Sequence, residues 1–191
     1  ILFSMRPEGG YALSQDIIDA LAKALTEVEV IQYFDFDKKT GTITGYDVAG
    51  GLDVIIPSMI DGVAVKHIGE KAFHFKRITS VVIPESVVSI GNNAFNSCAI
   101  TSVIIPDSVL SIGAHAFNYC KLNKLILSNN ISTIEKYAFA NNQLTDVTVP
   151  ASVESIGEHA FYNNDLISIT FCGNGIRIGN SAFLENSLTK I

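Results

Sequence analysis

Apolar positions recur along this chain at a fixed interval of 22 residues. The pair Ala-Phe stands at Ala72-Phe73, Ala94-Phe95, Ala116-Phe117, Ala138-Phe139, Ala160-Phe161 and Ala182-Phe183. Ile68, Ile90, Ile112, Ile134, Ile156 and Ile178 follow the same period, usually with Gly next, and so do Ile78, Ile100, Leu122, Leu144, Leu166 and Leu188. Six copies in register identify a repeat architecture before any single element is assigned. Within each copy a short stretch alternates apolar and polar residues, as in Leu122-x-x-Leu125-x-Leu127, with Ile100, Val103 and Ile105 or Leu144, Val147 and Val149 as its counterparts. Period-two alternation with β-branched residues predicts one strand per repeat. Pro84, Pro106 and Pro150 close this strand by removing a ladder donor and fixing φ, with Ser128 and Cys172 at the same place in other copies.

A 22-residue unit cannot bury its own apolar edge, but stacked coils align each column into a spine and join the strands into a parallel sheet. At roughly 4.8 Å per strand, about six coils give a sheet on the order of 25 to 30 Å wide. The expected fold is an α/β repeat solenoid with a parallel sheet of short strands, an irregular or short helical outer side, and a helix and hairpin at its N-terminal end. Truncating one ring of the Phe spine to Ala is expected to cost roughly 3 to 5 kcal/mol.

The pattern L-x-x-L-x-L-P followed by S-I-G and A-F resembles the BspA-type (Treponema-type) leucine-rich repeats of bacterial surface proteins. Residues 43 to 191 carry the likeness. It begins with Ile43-Thr-Gly-Tyr46, Val54-Ile-Ile-Pro57 and Ile60-Asp-Gly62, where the first unit holds five extra residues between Pro57 and Gly69 relative to Pro84 and Gly91. The chain departs from the pattern at Glu135 in the Gly column, at Ser128 and Cys172 in the Pro column, and at Gly173-Asn174-Gly175. The resemblance implies a non-enzymatic protein-binding or adhesion module, displayed extracellularly or on a bacterial cell surface. Its partners would be host or matrix proteins or other bacterial surface proteins. The alternative is a stalk or spacer within a larger surface protein whose activity lies in another domain.

The two ends differ from the repeats. Behind Ser14, a candidate N-cap, Ile17, Ile18, Leu21, Leu25 and Val28 fall on one helical face, and Asp16 and Asp19 suit the helix start. Val30 to Tyr46 reads as a hairpin turning at Lys38-Lys39-Thr40-Gly41. Residues 1–46 are therefore expected to cap a six-unit array over 47–191, because a first coil left bare would expose its apolar cross-section and strand edge. Leu188-Thr189-Lys190-Ile191 begins a further strand. Either more sequence follows, or this open coil is covered by a partner or by end-to-end self-association.

Composition narrows the function. Nearly half the residues are apolar, as a packed core needs, and a net charge of -6 gives no basic excess with which to hold a phosphate backbone. Nucleic acid is not an expected partner. No run approaches the roughly 18 apolar residues of a membrane helix, so direct insertion is not expected. Cys98, Cys120 and Cys172 form no Cys-x-x-Cys pair. Cys98 and Cys120 share a column continued by Asn142, Asn164 and Asn186, where small polar side chains are expected to bond backbone at the coil's turn and the thiols to stay free and buried.

Candidate chemistry is sparse. Asp35-x-Asp37-x-Lys39-x-Gly41 lacks the ligands a calcium loop requires, with Thr40 and Tyr46 at its sixth and twelfth positions. Among His67, His74, His115 and His159, only His115 and His159 share a column, and a whole coil separates them, roughly 10 Å, too far for one zinc. No catalytic, metal or cofactor residues are assigned. The candidate site is the outer face of the strand sheet, a partner-binding face of Val82, Ile104, Ile126, Thr148 and Thr170, flanked by Ser80, Ser102, Lys124, Asp146, Ser168 and Lys190. Alternation sends these side chains to solvent. Exposed aliphatics rimmed by hydroxyls and mixed charge suit a protein-binding surface, and β-branched residues favour strands in any case.

Overall fold

The computed structural model describes residues 31–189 and the strand pairs 4–5 and 11–12. Two compact units divide the chain, Ile1–Tyr33 and Phe34–Ile191. In the first, β1 (Ser4–Met5) pairs antiparallel with β2 (Tyr11–Ala12). The helix expected over residues 14 to 28 lies outside the described residues.

The second unit opens with the hairpin β3 (Phe34–Asp37) and β4 (Thr42–Tyr46), paired Phe34 to Tyr46 and bulged between Asp35 and Phe36. Gly41 closes its turn at a φ of 68°, donating to Asp37 O at 2.8 Å. A Cβ there would stand 2.7 Å from Ala64 O. After a 3-10 turn at Val48–Gly50 come β5 (Asp53–Ile55), the small hairpin β6 (Met59–Ile60) and β7 (Val63–Ala64), and β8 (His67–Ile68). The β6–β7 hairpin absorbs the extra residues of the first repeat, turning at Asp61 and Gly62, both at positive φ.

Each later coil contributes two strands. They are β9 (Ser80–Val82) and β10 (Ser89–Ile90), β11 (Ser102–Ile104) and β12 (Ser111–Ile112), β13 (Lys124–Ile126) and β14 (Thr133–Ile134), β15 (Asp146–Val149) and β16 (Ser155–Ile156), then β17 (Ser168–Phe171) and β18 (Arg177–Ile178). The expected strand is the first of each pair, and it pairs in parallel as β5 with β9, β11 with β13 and β15 with β17. Its neighbours β9 and β11, and β13 and β15, lie side by side without a ladder between them. The continuous sheet is a different one. The two-residue strands that end in the Ile column, Ser-Ile in β10, β12 and β16, stack β18-β16-β14-β12-β10-β8 and continue onto β4 and β3. One strand per repeat is thus an undercount: the Ser-Ile-Gly segment is itself a strand, too short for alternation to reveal.

The core follows the columns. Phe73, Phe95, Phe117, Phe139 and Phe161 are fully buried and stack face to face, with ring centroids 4.9, 4.9, 5.6 and 5.5 Å apart and Phe183 a further 5.5 Å on. Tyr46 and Phe34 close the near end of this stack, at 5.3 Å and, edge-on, 6.4 Å from Phe73. In the last coil Ile178, whose column is buried elsewhere, is exposed.

Between the Phe spine and solvent the backbone takes a form that no helix supplies. Lys71, Asn93, His115, Tyr137, His159 and Ser181, and again Phe75, Ser97, Tyr119, Asn141, Asn163 and Glu185, all sit at left-handed φ of 51 to 60°. Each such non-glycine residue costs roughly 1 to 2 kcal/mol. A third inter-coil ladder offsets it. The N–H groups of Lys71, Phe73 and Phe75 donate to the carbonyls of Asn92, Ala94 and Asn96 at 3.0, 2.8 and 3.0 Å, while those of Ala72, His74 and Lys76 bond back three residues. Alternating the destination of successive donors leaves few orphaned groups in a tightly turned segment.

Candidate strand-face binding site

The strands β5, β9, β11, β13, β15 and β17 present two outward columns to solvent. Ile55, Val82, Ile104 and Ile126 are 68, 57, 64 and 46% exposed, and Thr148 and Thr170 continue the column as exposed hydroxyls. Between them Val54, Val81, Val103, Val147 and Ile169 turn inward and are buried, so period-two alternation, not the lack of a core, places the aliphatics in water. Leu125 is half-buried. The second column runs Asp53, Ser80, Ser102, Lys124, Asp146 and Ser168, all exposed but the half-exposed Ser168, while Lys190 lies outside the described residues.

Sequence reasoning placed Val82, Ile104, Ile126, Thr148, Thr170, Ser102, Lys124, Asp146 and Ser168 on one face, and they share one. It missed Ile55 and Asp53. Both belong to the same columns through the register Asp53–Ser80 and Ile55–Val82. The inserted β6–β7 hairpin puts them 27 residues before their counterparts, outside the period of 22. The usable clue was the alternation of Asp53-Val54-Ile55-Ile56 before Pro57.

Hydrogen bonds fix one end of the polar column. Asp53 Oδ1 accepts from Ser80 Oγ and Thr79 Oγ1, each at 2.8 Å, and these donors hold its carboxyl below the usual carboxylate range. Lys124 makes no ion pair among the described residues. Where β13 and β15 lack a ladder, an open groove of about 770 Å³ lies between them, lined by Lys124, Ile126, Asp146, Thr148, Pro150 and the exposed Cys172.

Elsewhere the side chains do structural work. Asp37 accepts from the Lys39 N–H at 2.9 Å and from Thr40 Oγ1 at 2.8 Å, so the acidic stretch near it is a self-bonded turn. Asp107 likewise accepts from the Asn129 N–H at 2.8 Å, tying one strand corner to the next coil and holding the carboxyl low. His115 and His159 do share a face, but the Tyr137 ring lies between them, stacked at 4.8 and 4.7 Å with 6° between planes on both sides. That sandwich, as well as distance, keeps the two imidazoles from one metal. Among the described residues no group of three or more His, Cys, Asp or Glu could hold a metal ion, and no helix is long and apolar enough to cross a membrane.

The turn column behaves as expected and adds detail. Asn142, Asn164 and Asn186 donate from Nδ2 to Phe117, Phe139 and Phe161 O at 2.9, 3.0 and 2.9 Å, and their Oδ1 atoms accept the Leu122, Leu144 and Leu166 N–H groups. Cys98 and Cys120 are free, buried thiols that donate to Phe73 and Phe95 O at 3.1 and 3.2 Å. Burial pushes the Cys98 thiol up to about 12 and the Cys120 thiol higher still, so neither is a nucleophile at neutral pH.

The comparisons with known proteins agree with this geometry. Residues 66–189 match the model of the BspA type leucine rich repeat region in six copies. The chain belongs to that family. Among solved structures, this BspA-type chain is similar to the pneumococcal vaccine antigen PcpA, at 25% identity and a TM-score of 0.55 over 70% of this chain and 34% of that one. It is also similar to the leucine-rich repeat protein of T. pallidum, at 26% identity and a TM-score of 0.50 over 82% of this chain and 67% of that one. A leucine-rich repeat protein from Bacteroides capillosus is 31% identical over 73% of this chain and 93% of its own, with a TM-score of 0.46. The BspA-type chain spans about a third of the length of PcpA. No curated protein sequence matches it. Leucine-rich repeats of bacterial surface-type proteins are generally protein-interaction modules.

Proposed function

We propose that this chain is a non-enzymatic binding module, displayed on a bacterial cell surface, that adheres to a host or matrix protein through the strand face. The exposed aliphatic stripe Ile55-Val82-Ile104-Ile126 carries the reading. Four large apolar side chains in one row, rimmed by hydroxyls and both signs of charge, form a contiguous patch of the kind that marks interaction sites. The continuous sheet of two-residue strands and the left-handed ladder tie together the coils that carry that row, so binding would order little backbone. Surface display draws its support from the family and from the likeness to a protein described as a vaccine antigen.

The test uses immobilised fibronectin, laminin and fibrillar collagen as probes. Wild-type chain should be retained by at least one of them, and the Ile104→Asp, Ile126→Asp double variant, folded to the same circular dichroism spectrum, should not. Equal retention of both would remove the strand face from consideration.

A second reading has its own support. This chain corresponds to about a third of PcpA, so in a longer protein the repeats could serve as a stalk while another domain binds. A full-length protein that keeps its binding after deletion of residues 34–191 would favour the stalk.

A further inference from the structure

The strand face is complementary to itself. Along the polar column the four coils that carry the aliphatic stripe read Asp53, Ser80, Ser102, Lys124: negative, neutral, neutral, positive. Along the other column they read Ile55, Val82, Ile104, Ile126. Rotation by half a turn about an axis parallel to the strands and midway between β9 and β11 keeps each column opposite itself and reverses the order of coils. Asp53 of one copy then faces Lys124 of the other at both ends, Ile55 faces Ile126, Val82 faces Ile104, and Ser80 faces Ser102. A two-fold interface requires this self-matching. An axis between β13 and β15 would also pair Lys124 with Asp146, but it sets Ile126 and Ile104 against Thr148 and Thr170, so the axis between β9 and β11 is the one that matches charge and aliphatic stripe together.

Two further observations fit. Lys124 has no ion-pair partner among the described residues, although Asp146 stands one coil away across the groove. Asp53 is exposed, and the bonds from Ser80 and Thr79 both reach its Oδ1.

We infer that the strand face binds a second copy of this chain, coil order reversed, through Ile55, Val82, Ile104 and Ile126 with Asp53–Lys124 pairs closing both ends. This rests on the reading of that face as the binding surface and names one occupant for it. The stripe is about 15 Å long, well short of what a standard interface of roughly 800 Å² per partner occupies. Association is therefore weak in solution and strengthened where many copies are tethered side by side.

The charges provide the test. Sedimentation velocity of wild-type chain should show a reversible monomer–dimer shift as concentration rises towards the millimolar range. Asp53→Lys and Lys124→Asp should each abolish it, since each homodimer then sets like charges together at both ends. An equimolar mixture of the two variants should dimerise again, because both ends of the mixed pair then set a lysine against an aspartate. One chain carrying both changes should regain self-association for the same reason. Wild type that stays monomeric throughout, or single variants that associate as wild type does, or a mixture that stays monomeric when wild type does not, would overturn the inference. A monomeric wild type still retained by a matrix protein through Ile104 and Ile126 would end self-association and leave the proposed function standing.

Discussion

The side-chain amide of Asn142 spans two coils to donate to the carbonyl of Phe117, 2.9 Å away. The same amide also donates to Phe139 and Ala140 O, and its Oδ1 accepts the Leu122 N–H at 3.1 Å, so one buried side chain satisfies four backbone groups. Cys98 and Cys120, in the same column, offer a single S–H donor each. Ring spacing tracks this difference, at 4.9 Å where cysteine bridges the coils and 5.5 to 5.6 Å where asparagine does.

Stability should therefore fall in the order Asn142, Asn142→Cys, Asn142→Ala. Leaving a buried backbone donor or acceptor unmet costs roughly 1 to 3 kcal/mol, so Asn142→Ala should lose at least that much and Asn142→Cys a smaller part. Urea midpoints of the three proteins give the order. Equal midpoints for wild type and Asn142→Ala would show that water replaces the amide.

Phe139 lies between two stacked rings and is fully buried, whereas Phe183 has one ring stacked on it and is half-buried. Phe139→Ala should cost roughly 3 to 5 kcal/mol and Phe183→Ala clearly less, because the terminal site collapses onto solvent more easily. Thermal unfolding of both variants measures the gap.

The three cysteines should divide two to one. In native protein at neutral pH a thiol reagent should modify Cys172 quickly, while Cys98 and Cys120, buried and with their thiols pushed up, react only after denaturant is added. Mass spectrometry of the labelled peptides assigns each site.

His115 should give stability a pH dependence of known sign. Burial first, and the Lys136 charge second, hold its imidazole below the ordinary value of 6.5. The unfolded chain then binds the proton more tightly, so this contribution is fully present above 6.5 and is lost as pH falls through the lower folded value. Wild-type melting temperature should drop on acidification from neutral pH towards 5, and His115→Asn, which keeps a side chain tolerated at left-handed φ, should show a shallower drop. Parallel slopes would place the dependence in other groups.

The long-range order of this molecule was legible because every buried column repeats at one period. The Phe spine, the Ile column and the Asn and Cys turn column all stand where a period of 22 puts them. Three features were not legible. The strands that end in the Ile column, β8 to β18 in the stack, are two residues long, below the length at which alternation declares itself, yet they build the continuous sheet. The left-handed positions at Lys71, Tyr137 or Phe75 hold residues with no intrinsic taste for that region; the inter-coil ladder imposes it, and a ladder is a tertiary fact. Ile55 and Asp53 escaped because the β6–β7 hairpin shifts them out of period, although they complete the stripe that gives the face its symmetry.

The most direct test of the central claim, that the strand face is where partners bind, is photo-activated carbene labelling of the chain alone and saturated with a matrix protein that retains it. The claim predicts that labelling falls at Ile55, Val82, Ile104 and Ile126 and is unchanged at Tyr119 and Leu184, which are exposed on the left-handed turn segment. Protection at Tyr119 and Leu184 with an unprotected stripe would contradict it and move the binding surface to the turn side of the coils.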